Sequence, residues 1–115
     1  MNKSELITEI INDGTMEYLL TFSGGEILKE LVCLEKDDSY NDFTTFLKIM
    51  DDFVMKENES ITKLEAKLGS ATSPEDIEYI DMHIHYLSTF RDMAVRTIEK
   101  VNNYLLQNNI SKVTI

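Results

Sequence analysis

Apolar residues in the second half of the chain recur every three or four positions, which predicts two long helices. Between Ser39 and Leu68 there is no glycine or proline. The apolar positions of this stretch alternate by four and three residues, with Glu57 as a polar interruption: Phe43, Leu47, Met50, Val54, Ile61, Leu64 and Leu68. After Pro74 the same spacing returns, with Arg91 as the interruption: Ile77, Ile80, Ile84, Leu87, Ala94, Ile98, Val101 and Leu105.

The residues at the expected helix ends indicate that these two helices form an antiparallel hairpin. Ser73 suits an N-cap, and Pro74 suits the first helical position, where its missing N–H has no intrahelical partner. Ser39 and Asp42 have the spacing of a capping box at the start of the first long helix. Gly69 follows its last apolar residue. We therefore predict an antiparallel helical hairpin of about residues 40–69 and 74–107.

The first 37 residues are expected to add two or three short helices. Ser4–Asp13 and Glu26–Lys36 each carry an apolar face at helical spacing, and Thr15–Phe22 is short and apolar. A β-hairpin around Gly24-Gly25, pairing residues 18–22 with 27–32, is the alternative. The charged residues at 26, 29 and 30 favour the helix.

Together these elements predict an all-α, bundle-like fold in a single domain of residues 1–115. Short helices occupy residues 1–37, the helical hairpin occupies residues 39–107, and residues 108–115 form a C-terminal tail. Apolar residues make up 43% of the chain and charged residues 28%, a composition typical of a folded globular protein.

The two polar interruptions, Arg91 and Glu57, are expected to find partners across the hairpin. If the chain turns at residues 71 and 72, Arg91 lies opposite the adjacent acids Asp51 and Asp52. We predict a structural ion pair between Arg91 and one of them, because a buried guanidinium without a partner is costly. Glu57 is expected opposite residues 85 and 86, with His83 nearby.

The last helix carries a second, largely apolar stripe beside the first, so it needs two neighbours. One neighbour is the other long helix, and the other is either the segment 5–34 or a second chain. Tyrosine, methionine and phenylalanine are enriched at the centres of protein interfaces. The stripe, which also includes Thr97, therefore supplies six candidate protein-binding residues: Tyr79, His83, Tyr86, Phe90, Met93 and Tyr104.

The net charge of −10 disfavours binding to nucleic acid or to an anionic membrane surface. Residues 1–40 contain nine acids and three lysines, a net charge of −6. Their acidic side chains either form a face that attracts a basic partner or serve only solubility. The candidates for such a face are Glu5, Glu9, Asp13, Glu17, Glu26, Glu30, Asp37 and Asp38.

The single cysteine, Cys33, lies between apolar residues, and we expect it to be buried and unreactive.

The residues after Met1 do not resemble a signal peptide, and no run of 18 apolar residues is present. A reducing cytosol, without a membrane span, is therefore the expected location. Twelve isoleucines and eight asparagines against three alanines suggest AT-rich coding, often seen in phages and horizontally acquired bacterial genes.

No arrangement of residues predicts an enzyme, a metal site or a cofactor. His83 and His85 point in different directions on a helix, so they cannot share a metal ion, and Asp81 with His85 supplies only two ligands. Gly24-Gly25 lacks the lysine and serine or threonine that follow in a phosphate-binding loop.

Binding to another protein remains as the expected function. The favoured hypothesis is a small acidic inhibitor, of the immunity-protein or antitoxin kind, that blocks the active site of a basic toxin. The alternatives are a chaperone or adaptor that covers an amphipathic helix of a secreted client, and a helical bundle formed by a homodimer.

Overall fold

The computed structural model describes residues 2–12, 26–37, 39 and 42–108, and these form four helices. The helices are α1 (Lys3–Asn12), α2 (Glu26–Lys36), α3 (Thr44–Ser70) and α4 (Pro74–Gln107). Helices α3 and α4 pack along each other as a hairpin, α1 contacts α4 and α2, and α2 contacts α3. The predicted all-α, bundle-like fold with a long helical hairpin is confirmed.

Helix α3 begins at Thr44, later than the spacing of Ser39 and Asp42 suggests. Instead of forming a capping box, Ser39 donates its backbone N–H and its hydroxyl to Asp37 Oδ1, at 2.9 and 2.6 Å. Asp42 Oδ1 accepts the backbone N–H of Thr44 at 3.0 Å and also the Thr44 hydroxyl. The capping-box prediction is wrong because both acids bond to residues two positions ahead, as Asx turns do.

The core lies at the end of the hairpin where α1 and α2 pack. Helices α1 and α2 contribute three buried apolar side chains each, and the N-terminal part of α3 and the C-terminal part of α4 supply the rest. The buried cluster consists of Leu6, Ile7, Ile10, Ile27, Leu31, Leu34, Phe43, Phe46, Leu47, Met50, Phe53, Ala94, Val101, Tyr104 and Leu105. Phe46 and Phe53 lie beside the predicted α3 positions and were not part of that pattern.

The rest of the hairpin extends beyond this core. We call residues 55–70 of α3 and 74–89 of α4 the arm. Its own interior is formed by Ile61, Leu87 and Glu57, all at least 90% buried. The molecule is correspondingly elongated, with principal dimensions of 56 × 24 × 22 Å.

Cys33 is exposed, so the prediction of a buried thiol is wrong. Helix α2 buries residues 27, 31 and 34, a spacing of four and three that selects one side of the helix. Cys33 lies away from that side, and Leu28 and Val32 are also exposed, although the sequence pattern included them in the apolar face. The apolar residues around Cys33 therefore extend beyond the side of α2 that is buried.

The alternative of a β-hairpin at residues 18–22 and 27–32 is excluded, because residues 27–32 are helical. The segment Thr15–Phe22, Gly14 and most of the predicted tail at 108–115 lie outside the described residues. None of the helices in the described ranges combines the length and the apolar character needed to cross a lipid bilayer.

Two methionines of α3 offer a matched test of where the core lies. Met50 is fully buried, whereas Met55 is 58% exposed on the arm. We expect Met50→Ala to lower the free energy of unfolding by about 2–5 kcal/mol, because it leaves a cavity. Met55→Ala should change it by about 0.5 kcal/mol or less. Urea unfolding of both variants measures the difference, and similar losses would contradict the assignment of the core.

Candidate protein-binding face

One side of the hairpin is covered by α1 and α2 near the core but not on the arm. Eighteen residues make five helical turns, so positions eighteen apart lie on the same side of a helix. On α4 this relation links Tyr79 to Thr97 and Tyr86 to Tyr104. Thr97 and Tyr104 are 3% and 6% exposed, whereas Tyr79 and Tyr86 are 65% and 58% exposed. The same stripe is therefore buried at one end of α4 and open at the other.

Among the described helices, α1 packs on α4 at the C-terminal end of this stripe. Glu9 of α1 lines a groove with Lys100, Asn103 and Tyr104 of α4. The ring of Tyr104 also contacts the ring of Phe43, with centroids 5.8 Å apart. Burial raises the pKa of the Tyr104 hydroxyl. Tyr104 is thus a core residue, and its prediction as a surface for a partner is wrong.

On the arm, the exposed part of the stripe is formed by aromatic side chains and a methionine. Tyr79, Met82 and Tyr86 recur at three and four residues on one side of α4, and Met82 is 62% exposed. The ring of Tyr86 packs edge-on against the ring of Phe90, with their centroids 4.8 Å apart. The ring centroids of Tyr79 and His83 are 6.2 Å apart. Phe90 and Met93, also candidates from the sequence, are only partly exposed.

Helix α3 continues the same face with lysines. Lys63 and Lys67 lie five turns after Thr45 and Ile49, which line the groove between α2 and α3. Lys56 and Lys63 line a second groove between the two helices of the arm, with His83 on the opposite wall. We call Lys56, Ser60 and Lys63 of α3 together with Tyr79, Met82, His83 and Tyr86 of α4 the arm face.

A buried carboxylate lies in the groove of the arm face. Glu57 is 4% exposed and lines the groove with Leu64 and Leu87. Its Oε2 atom has no hydrogen-bond partner. Burial raises the pKa of Glu57, and the nearby His83 opposes this rise. His83, expected near Glu57 from the sequence, lines the same groove from the opposite helix.

The predicted ion pair of Arg91 with Asp51 or Asp52 is wrong. The guanidinium of Arg91 donates to Asn58 Oδ1 at 3.1 Å, and two of its other nitrogens donate to Asp92 Oδ1, each at 3.1 Å. Side chains of a helix lean toward its N-terminus, and arginine is long. Arg91 consequently reaches Asn58, which lies nearer the tip of the arm than the acids predicted to be its partners.

The predicted acidic face is only partly described. Asp13, Glu17 and Asp38 lie outside the described residues. Glu5, Glu9, Glu26 and Asp37 are exposed at the core end, and Glu30 is partly buried. Lysines lie among these acids: Glu26 and Glu30 share a groove with Lys29 and Lys48, and Lys3 donates to the Asp37 carbonyl at 2.6 Å.

No group of three or more histidine, cysteine or acidic side chains that could hold a metal ion lies within the described ranges. Sequence reasoning did identify Tyr79, His83 and Tyr86, but it missed the contributions of Met82, Lys56 and Lys63 to the same face. The spacing of three from Tyr79 to Met82 was the available signal. The lysines could not be assigned without knowing which side of α3 is uncovered.

Replacing Glu57 by glutamine tests whether its carboxylate destabilises the fold. Because burial raises the pKa of Glu57, the cost of its charge is full above the folded-state pKa and vanishes below the ordinary value of 4.5. We expect Glu57→Gln to be more stable than the parent by about 1 kcal/mol at pH 7. That advantage should shrink as the pH falls toward 4.5. Urea unfolding across this range measures it. The exposed Glu59→Gln variant is the control, and an equal pH trend there would contradict the prediction.

The chain matches no model of a known protein family, no curated protein and no solved structure.

Proposed function

We propose that this protein is a non-enzymatic binding module that holds an amphipathic helix of a partner protein on the arm face. The observation that carries the proposal is the exposure of Tyr79, Met82 and Tyr86, between 58% and 65%, in one row on α4. Rows of exposed apolar and aromatic side chains mark interaction sites, and tyrosine and methionine favour interface centres. A row at helical spacing suits a helical partner.

The way the chain covers its own hairpin supports a helical occupant. Near the core, α1 packs on α4 and α2 packs on α3. Thr97 and Tyr104, which are buried there, lie on the side of α4 that carries the exposed Tyr79 and Tyr86 on the arm. A partner helix on the arm face would continue this layer. It would bury Tyr79 and Tyr86 as Thr97 and Tyr104 are buried five turns further along α4, where α1 packs.

Charge supports a partner with acidic residues on one edge of its helix. Lys56 and Lys63 line the α3 side of the arm face, and Lys67 follows one turn later on the same side. The α4 side offers uncharged aromatic rings and Met82. A partner helix with an apolar stripe for α4 and carboxylates toward the lysines fits both sides.

A second copy of this chain fits the arm face less well. An antiparallel pairing about a two-fold axis would place α3 against α3 and bring Lys56, Lys63 and Lys67 of both copies together. A parallel pairing would superimpose the layers that α1 and α2 form at the core ends. Electrostatic repulsion in the first case and steric conflict in the second favour a different protein as the partner.

Photo-crosslinking from two methionine positions tests this proposal. Met82 lies on the arm face and Met55 does not, while their exposures are close, 62% and 58%. With a photoreactive residue in cells that naturally make the protein, position 82 should crosslink to an acidic-edged amphipathic helix of another protein, identified by mass spectrometry. Position 55 is the matched control. Crosslinks to this same chain, or equal yields from both positions, would overturn the proposal.

The acidic inhibitor remains a second candidate, supported by the net charge of −6 in residues 1–40 and by the exposed Glu5, Glu9 and Glu26 at the core end. Such an inhibitor would act in the cytosol on a basic toxin. Its association rate should fall steeply, by about tenfold or more, between low and physiological salt. A helix held by the arm face should show a much weaker dependence. Stopped-flow measurement of the association rate at several salt concentrations, with the partner that photo-crosslinking identifies, distinguishes the two candidates.

A further inference from the structure

The groove of the arm face contains an acceptor that the protein itself leaves unused. Glu57 is 4% exposed, yet its Oε2 has no hydrogen-bond partner. Nearly all buried polar side chains in folded proteins have one, so such an atom calls for a functional explanation. The carboxylate lines a groove open to solvent, which a side chain from outside can enter.

The neighbouring basic residues do not satisfy Glu57. Lys56 and Lys63 line the rim of the groove, and both are exposed. His83 lines the same groove but donates no hydrogen bond to Oε2. Within the described ranges, neither lysine nor His83 forms an ion pair with this carboxylate. The groove therefore combines an unpaired carboxylate with the apolar side chains of Leu64 and Leu87.

We infer that the groove receives a lysine or arginine side chain from the middle of the partner helix, with its cationic group bound to Glu57. This inference rests on the proposed function, since the cation arrives on a helix bound to the arm face. Its aliphatic stem would pack on Leu64 and Leu87, as long basic side chains do on apolar surfaces. The donors of the ammonium or guanidinium would supply the missing hydrogen bond to Oε2.

Glu57 is suited to this role because it is already only 4% exposed in the free protein. Binding a cation then adds a charge-assisted hydrogen bond at little further desolvation cost for the acceptor. Lys56 and Lys63 repel the incoming cation only weakly, since their exposed ammonium groups are screened by water and salt. Glu59, on the same rim, adds a compensating negative charge.

The test uses a displayed library of 18-residue amphipathic helices with a fixed leucine and isoleucine stripe and all other positions randomised. Selection on the parent protein should enrich lysine or arginine at one central position. The tightest binder should lose about tenfold in affinity when that residue becomes glutamine, as for a buried ionic hydrogen bond. With Glu57→Gln as the target, this loss should disappear. With the exposed neighbour Glu59→Gln as the matched control, it should persist.

The outcomes separate this inference from the proposed function. Binders that depend on Met82, shown by weaker binding to Met82→Ser than to Met55→Ser, but that carry no central basic residue would overturn the inference alone. An arginine preference of equal size on the Glu57→Gln target would do the same. Selection that yields no binders dependent on Met82 would overturn both, because the arm face would then not hold a helix.

Discussion

The structure depends on a difference in length between the helices that form the hairpin and those that cover it. Helices α3 and α4 have 27 and 34 residues, about 40 and 50 Å at the usual rise per residue. Helices α1 and α2 have 10 and 11 residues, about 15 Å each. They lie at one end of the hairpin, where α1 packs on α4 and α2 packs on α3, so they cover only that end of the long helices. The division between core and arm follows from this limit.

The two polar interruptions of the hairpin show how side-chain length decides the fate of a charge. Arg91 is long enough to carry its guanidinium out of the seam to Asn58 and Asp92, where it is partly hydrated. Glu57 is shorter and holds its carboxylate inside the seam. The same kind of pattern break thus gives a satisfied surface group in one helix and an unpaired buried group in the other.

The features that follow from helical spacing could be predicted from the sequence. The hairpin, the start of α4 at Pro74 and the bounds of α2 at Glu26 and Lys36 all depend on local patterns, and the structure has them. The failures concern choices that local patterns leave open. Cys33 lies in an apolar run wider than the buried side of α2, and the partner of Arg91 depends on which way a long side chain leans. Tyr104 is buried and Tyr86 is exposed because of where α1 packs along α4. The spacing of residues within α4 carries no information about that position.

The position of Glu57 joins the fold to the proposed function. A leucine there would complete the apolar seam of α3, in which Ile61, the next seam residue, is buried and Val54, the preceding one, is partly buried. Such a seam would stabilise the arm better than a buried carboxylate does. The carboxylate lies in the part of the hairpin that α1 and α2 leave uncovered, in the groove that Lys56, Lys63 and His83 also line. A group that weakens the seam where the seam is open to a partner is best explained by what it contributes once that partner is bound.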